Sequence, residues 1–177
     1  KHALAVASKF SIPIKTLVLD SVFGTLLKVL PDAAVDPAAS QLAKANLKVR
    51  WRMLILYYFT NQLKYMVVGS SNRSELSVGY FTKYADGGVD IIPLGNLVKG
   101  QVRELAGFLG IPQEIINKPP SAGLWQGQTD ENELGFRYEE LDRYVVSGKV
   151  SDEVRRKIAP MIAAGDHKRF PPPLPNF

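Results

Sequence analysis

Residues 67–75 read Val-Val-Gly-Ser-Ser-Asn-Arg-Ser-Glu, and this stretch decides the fold. A short β-branched run passes directly into small polar and charged residues, which is typical of a buried strand that opens into a ligand site. We predict a strand over 65–68 and a helical turn over 74–81. Hydroxyl and amide groups at such a junction are placed to meet phosphate oxygens at the positive end of the helix.

Glu75, at the end of this stretch, has two interpretations. A carboxylate repels phosphate, but it suits a Mg²⁺ ion that also bridges phosphate oxygens. Alternatively, Ser71 or Asn72 caps the helix and Glu75 completes a capping box. The residues alone favour neither interpretation.

A glycine-containing turn, Asp-Gly-Gly-Val-Asp, follows at 86–90. Its acidic residues do not have the offsets of an EF-hand calcium loop. We expect this turn to present Lys83, Asp86 and Asp90 to a polar ligand. A solvent-facing hairpin is the alternative interpretation of the same residues.

The flanking sequence predicts an α/β protein with a parallel sheet. A strand over 14–19 follows the first helix, and this order is half of a βαβ unit. Residues 21–30 fit a short helix or a loop, and the proline-containing segment 31–37 breaks regular structure. We predict helices over 1–9, 38–63, 97–109 and 138–146, a short helix from Pro112, and a last helix capped by Ser151.

The helix over 38–63 is apolar around most of its circumference, which predicts burial on more than one side. An interface between subunits would supply the second side. Its cationic residues are Lys48, Arg50 and Arg52. Either all three are solvated, or one of the arginines binds a carboxylate or phosphate.

Three other polar features have both a structural and a functional interpretation. Lys99 lies in a first helical turn, where a cation opposes the helix dipole, so a phosphate contact gains weight over a surface role. The polar segment 119–135 is long enough to favour a functional loop over a connector. His167 and Lys168 fit a solvated helix end or a ligand contact.

Composition narrows the class of protein. The 177 residues, 46% of them hydrophobic, are enough for one compact domain. There are no cysteines, which excludes disulfides, thiol nucleophiles and thiolate metal sites within this chain. No apolar run approaches the roughly 18 to 20 residues of a membrane span, and we expect a cytoplasmic protein. The net charge of +5 is spread along the chain, so we expect neither nucleic-acid binding nor membrane binding.

Taken together, these segments resemble the ammonia-dependent NAD synthetases, which belong to the N-type ATP pyrophosphatase (adenine nucleotide alpha hydrolase-like) superfamily. The resemblance extends over about residues 1–169, and residues 46–53 look like the family's Asn-x-x-x-Arg-x-Arg-Met helix. The other matching segments are 70–75, 79–90, Lys99, 118–122, 127–135 and 167–168. The resemblance implies one domain over 1–177 with a Rossmann-like, three-layer α/β/α fold around a parallel sheet, whose N-terminal strands are absent from this chain.

The resemblance implies that ATP adenylates deamido-NAD and that ammonia then displaces AMP to give NAD. Glu75 would bind Mg²⁺, and Asp86 would be a further catalytic contact to the acyl-adenylate or ammonia. The implied ATP contacts are Ser70, Lys99 (also catalytic) and Ser121, and the implied deamido-NAD contacts are Arg50, Lys83, Asp90, His167 and Lys168. Ser70 stands where the family usually has threonine, and it keeps the hydroxyl. The family's dimeric substrate site also implies a homodimer through the helix over 38–63.

One family motif, the phosphate-binding loop S-G-G-x-D-S, does not occur in these 177 residues. We therefore expect this segment alone to lack synthetase activity, and turnover by the purified segment would refute that expectation. Two alternatives stay open: another adenylating ATP pyrophosphatase, similar to GMP or argininosuccinate synthetase, and a non-catalytic nucleotide-binding or dimerisation module. Glutamine-dependent members carry an amidase domain with a catalytic cysteine, so ammonia is the favoured nitrogen donor here.

Overall fold

The computed structural model describes residues 1–31 and 36–176, so residues 32–35 of the predicted breaker segment lie outside the described part. The helices within the described residues are α1 (His2–Lys9), α2 (Asp20–Val29), α3 (Pro37–Leu63), α4 (Arg73–Ser77), α5 (Lys99–Phe108), α6 (Gln113–Ile116), α7 (Asp130–Leu134), α8 (Tyr138–Ser147) and α9 (Asp152–Arg169). No helix within the described residues is long and apolar enough to cross a membrane.

The predicted helices are confirmed. The segment 21–30, which fits a helix or a loop, forms α2. The helix predicted over 97–109 is α5, and the helix predicted over 138–146 is α8. Ser151 caps α9 by accepting a hydrogen bond from the Val154 N–H at 3.4 Å. The predicted helical turn over 74–81 is shorter than expected, because α4 ends at Ser77.

Helix α3 begins and ends at recognisable signals. The Asp36 carboxylate accepts hydrogen bonds from the first two free backbone N–H groups, and proline occupies the first helical position. Lys64 ends the helix in the left-handed conformation, with φ 55°. Ala45 is the buried residue of this helix. Its more than half-exposed apolar side chains are Leu42, Leu54, Leu56, Tyr58 and Leu63.

The buried strand predicted over 14–19 is wrong for the described structure. Ile14 is 58% exposed and Val18 is 77% exposed. A strand is held by hydrogen bonds to a neighbouring strand, and no strand lies beside 14–19 within the described residues. The strand predicted over 65–68 is reduced to a single parallel bridge between Val68 and Ile91. The predicted parallel sheet is therefore not confirmed, although this one bridge has the expected direction.

The core that supports the site lies where α8 packs against α4, α5 and α9. Its buried members are Val78, Leu134, Phe136, Tyr138, Leu141, Val154 and Ile158. Burial of these side chains, together with the packing of α5 on α8, fixes the four helices relative to one another. Because Glu75 lies on α4 and Lys99 begins α5, this packing places the two predicted site residues on neighbouring elements.

Candidate functional site

Glu75 and Lys99 form an ion pair at the centre of the site. The Lys99 Nζ lies 2.8 Å from the Glu75 Oε1, and the two side chains are 20% and 16% exposed. The other oxygen, Oε2, accepts a hydrogen bond from the Asn72 N–H, while Asn72 Oδ1 accepts one from the Glu75 N–H. The capping box is therefore present, and it leaves Oε1 of Glu75 for a cation.

Two tyrosines and a buried carboxylate adjoin this ion pair. Tyr138, 1% exposed, donates to Asp130 Oδ2 at 2.9 Å, and its ring centroid is 4.9 Å from the Lys99 Nζ. The Tyr80 hydroxyl lies 3.2 Å from Asp130 Oδ1 and also hydrogen bonds to Glu133. Burial raises the pKa of both tyrosines, so their hydroxyls stay neutral donors. Burial also raises the pKa of Asp130, against the opposing effect of its hydrogen bonds from both hydroxyls.

The raised pKa of Asp130 predicts a pH dependence of stability. Because its folded pKa lies above the ordinary value of 3.8, the folded state binds the proton more tightly than the unfolded state. The stabilising contribution is complete below that ordinary value and is lost as pH rises through the folded pKa. We therefore expect the free energy of unfolding of the wild type, relative to that of Asp130→Asn, to fall across this interval. Urea unfolding of both proteins at successive pH values measures this difference in the free energy of unfolding. A difference that rises with pH or stays constant contradicts the prediction.

The structure divides the residues predicted to bind ATP between two cavities. A cavity of about 490 Å³ is lined by Ser70, and also by Asp86 and Lys168. A second cavity of about 310 Å³ is lined by Lys99 and Ser121. Its apolar walls come from α5 and α6, and the prolines before Ser121 close one side. Ser70 and Ser121 are thus not brought into one cavity.

A cluster of basic groups lies where α3 meets the 79–90 segment and α9. The Arg50 Nε donates to the Lys83 backbone oxygen at 3.2 Å, and the Lys83 Nζ lies 3.4 Å from the His167 Nδ1. Within the described residues none of these three side chains has a carboxylate partner. The charges of Arg50 and Lys83 are therefore uncompensated, which suits a phosphate or carboxylate group.

Two other residues predicted to contact deamido-NAD, Asp90 and Lys168, form hydrogen bonds with backbone groups of this chain. Asp90 accepts a hydrogen bond from the Val67 N–H at 2.6 Å and one from the Tyr57 hydroxyl at 3.2 Å. The Lys168 Nζ donates to the backbone oxygens of Gly79 and Phe81 at 2.7 and 2.9 Å, and burial lowers its pKa. Asp90 and Lys168 therefore shape the loop that carries the site.

The chain matches the NAD synthase family model over residues 1–172. It is 48% identical over 171 residues to the NH3-dependent NAD+ synthetase of Syntrophomonas wolfei, covering 96% of this chain and 69% of that protein. The chain belongs to the NAD synthase family. A similar enzyme from Carboxydothermus hydrogenoformans is 43% identical over 99% of this chain and 72% of its own length.

Solved structures agree with membership of the NAD synthase family. The NMN synthetase of Francisella tularensis superposes with a TM-score of 0.90 at 36% identity, covering 99% of this chain and 72% of that one. The NH3-dependent NAD synthetase of Campylobacter jejuni superposes with a TM-score of 0.73 at 22% identity, covering 98% and 70%. The second likeness supports the fold alone.

Several residues around the candidate site were not predicted from the sequence as site residues. Tyr138 and Asp142 were missed, and Tyr80 and Asp130 were included only as parts of the matching segments 79–90 and 127–135. One signal was available for Asp142. Helix α5 begins after Val98, which has no side-chain acceptor, so its first N–H groups required an acceptor from elsewhere in the chain.

Proposed function

We propose that this member of the NAD synthase family converts deamido-NAD to NAD with ATP and ammonia. The observation that carries this proposal is the 48% identity, over 96% of the chain, to an enzyme named as an NH3-dependent NAD+ synthetase. The nicotinate carboxylate attacks the α-phosphorus of ATP, the bond to the β-phosphate oxygen breaks, and pyrophosphate leaves. Ammonia then attacks the acyl carbon, the bond to AMP breaks, and the surplus proton passes to solvent.

Lys99 and Ser121 bind ATP in this proposal, and Ser70 binds it from the larger cavity. Support for Lys99 comes from its place in the lining of the second cavity and from its ion pair with a single carboxylate, that of Glu75. A cation at this place stabilises the charge that develops on the leaving pyrophosphate. Fixed placement of two nucleotides supplies a further part of the rate.

Glu75 is the proposed Mg²⁺ ligand. Within the described residues no cluster of three or more potential metal ligands occurs. A single carboxylate nevertheless fits Mg²⁺, because this ion keeps several waters and takes phosphate oxygens as ligands. Oε1 of Glu75 already accepts a hydrogen bond from a cation at 2.8 Å, so its position suits positive charge. Bound there, Mg²⁺ would neutralise charge on the phosphates of ATP.

Deamido-NAD is the proposed ligand of the basic cluster formed by Arg50, Lys83 and His167. The uncompensated charge of the cluster supports this assignment, because the substrate carries a pyrophosphate bridge and a carboxylate. Asp90 and Lys168 stay proposed contacts, whose hydrogen bonds to Val67, Gly79 and Phe81 hold the loop in shape. Asp86 lines the larger cavity and is the proposed contact to the acyl-adenylate or to ammonia.

A second candidate function is amidation of the corresponding mononucleotide to give NMN. The TM-score of 0.90 with an NMN synthetase favours this candidate. Both reactions use the same adenylation and amidation steps, so the substrate distinguishes them. We expect kcat/KM to be at least about tenfold higher for deamido-NAD than for nicotinate mononucleotide, a difference of roughly 1.4 kcal/mol. The reverse order, measured on the protein expressed from its complete gene, would assign it to NMN synthesis.

We also propose a homodimer through α3. The exposed side chains of Leu54, Leu56 and Tyr58 would then be covered by the partner subunit. We predict a dimer at micromolar concentration in sedimentation. Leu54→Glu should weaken it by at least about tenfold, because burial of a leucine contributes roughly 1.5 to 3 kcal/mol. Gln41→Glu, at an exposed polar position of the same helix, is the matched control. A wild-type monomer, or equal dimerisation of both variants, contradicts this prediction.

Two further features complete the proposal. The parallel sheet expected for an ATP pyrophosphatase would include the backbone around Val68 and Ile91, whose one bridge is parallel. We place the reaction in the cytoplasm because it consumes ATP.

A further inference from the structure

We propose that Asp142 is a positioning residue that holds Lys99 opposite Glu75. This inference rests on the proposed function, which gives Glu75 and Lys99 their roles toward ATP. Asp142 lies on α8 and lines neither of the two cavities described above. It acts through the side chain of Ser74, next to Glu75, and through the backbone N–H groups of Lys99 and Gly100.

The Asp142 carboxylate connects the segments that carry Glu75 and Lys99. Its Oδ1 accepts a hydrogen bond from the Ser74 Oγ at 2.5 Å. It also shares the Lys99 N–H with that hydroxyl, at 3.2 Å from Asp142 and 3.1 Å from the Ser74 Oγ. Its Oδ2 accepts one from the Gly100 N–H at 2.7 Å. Ser74 directly precedes Glu75, so one carboxylate ties the neighbour of Glu75 to the backbone of Lys99.

Helix α5 requires this carboxylate for a local reason. The first N–H groups of a helix have no partner inside the helix, and Val98 at the N-cap offers no side-chain acceptor. Asp142 on α8 accepts from the Lys99 and Gly100 N–H groups, and the Ser74 Oγ shares the first of them. The negative charge of Asp142 also lies at the positive end of the helix, where it offsets the unfavourable position of the Lys99 cation. The first turn of α5 is thereby held to α8.

The surroundings of Asp142 are fitted to this contact. A Cβ atom on Gly100 would lie 3.3 Å from Asp142 Oδ2, closer than an ordinary contact, so glycine leaves room for the carboxylate. Ser74 is fully buried, at 0% exposure. Water therefore has no access to the Ser74 hydroxyl, and loss of Asp142 would leave a buried donor without its partner.

The test compares Asp142→Asn, Ser74→Ala and the double variant in the protein expressed from its complete gene. Where aspartate has two acceptor oxygens, asparagine has one neutral oxygen and one NH2 group. The NH2 group cannot accept from the three donors, so at least one hydrogen bond is lost. We expect kcat to fall by about 10- to 100-fold, as for residues that orient metal or phosphate ligands. We expect Mg²⁺–ATP binding, measured by calorimetry, to weaken while the KM for deamido-NAD stays constant. The fall in kcat of the double variant should be smaller than the product of the two single falls, because both substitutions remove the same contact.

Glu139→Gln is the matched control, because it makes the same charge change on the same helix. Its side chain is 62% exposed, and among the described residues it pairs with Arg103 alone, at 3.4 Å. We expect this variant to behave like the wild type, and all variants are compared at a temperature at which circular dichroism shows them folded.

The outcomes separate the positioning role from the proposed function. Wild-type kcat and Mg²⁺–ATP affinity in Asp142→Asn would overturn the positioning role alone. A fall in kcat accompanied by an equal rise in the KM for deamido-NAD would also overturn it, since a general loosening of the fold would then explain the loss. A wild-type protein that forms neither NAD nor NMN would overturn the proposed function, and the positioning role with it.

Discussion

Glu75→Gln should lower kcat/KM by about 100- to 1,000-fold, the effect expected when one group that stabilises transition-state charge is removed. The amide keeps the size of the side chain and its cap on α4, but it loses the charge that faces Lys99 at 2.8 Å. In the proposed function it also loses the only protein carboxylate assigned to Mg²⁺. Loss of charge alone should therefore remove most of the activity.

The Glu75→Gln measurement is a titration of MgCl2 at saturating ATP and deamido-NAD. We expect the half-saturating Mg²⁺ concentration to rise together with the loss of kcat. Glu104→Gln, an exposed glutamate on α5, is the control for the same chemical change. Unchanged Mg²⁺ dependence in Glu75→Gln would remove this residue from the proposed metal site.

Lys99→Met should cause a loss of similar size, again about 100- to 1,000-fold in kcat/KM. Methionine keeps an apolar side chain against the Tyr138 ring but removes the cation that lies 4.9 Å from the ring centroid. Without that cation, the charge that develops on the leaving pyrophosphate is no longer compensated. Arginine should not restore the activity fully, because its planar group differs from a compact ammonium.

For Lys99→Met, release of pyrophosphate in a single turnover reports the adenylation step directly. We expect this step to slow, whereas the reaction of ammonia with the adenylate does not become limiting. Lys149→Met, at an exposed position beyond α8, is the control. Normal pyrophosphate release by Lys99→Met would contradict the role assigned to this lysine.

Helices with local signals were predictable from the sequence, whereas the strand over 14–19 was not. Helix α3 is specified by proline at its first position and by apolar residues along its length, and both signals lie within the helix. A strand depends on a neighbour that local sequence does not contain. Val18 illustrates this limit: its β-branched side chain favours a strand, and yet it is 77% exposed in the described structure.

The candidate site was predictable to the extent that its residues lie in short motifs. The capping-box interpretation of Glu75 is confirmed, because one of its oxygens accepts a hydrogen bond from the Asn72 N–H. The Mg²⁺ interpretation stays a prediction, which the contact of the other oxygen with Lys99 supports. The contact of Asp142 with Lys99 joins residues 43 positions apart. Such a contact is fixed by the packing of α8 on α5. The N-cap Val98 indicates that the first N–H groups of α5 need an acceptor, but the local sequence does not show which residue supplies it.

The most direct test of the proposed reaction uses the protein expressed from its complete gene, deamido-NAD, ATP, MgCl2 and ¹⁵N-ammonium. Mass spectrometry of the products identifies both the nitrogen donor and the bond of ATP that is broken. We predict NAD that carries one ¹⁵N atom in its amide, with one AMP and one pyrophosphate formed for each NAD. Formation of ADP and phosphate in place of AMP and pyrophosphate, or NAD without ¹⁵N, would contradict the proposed function.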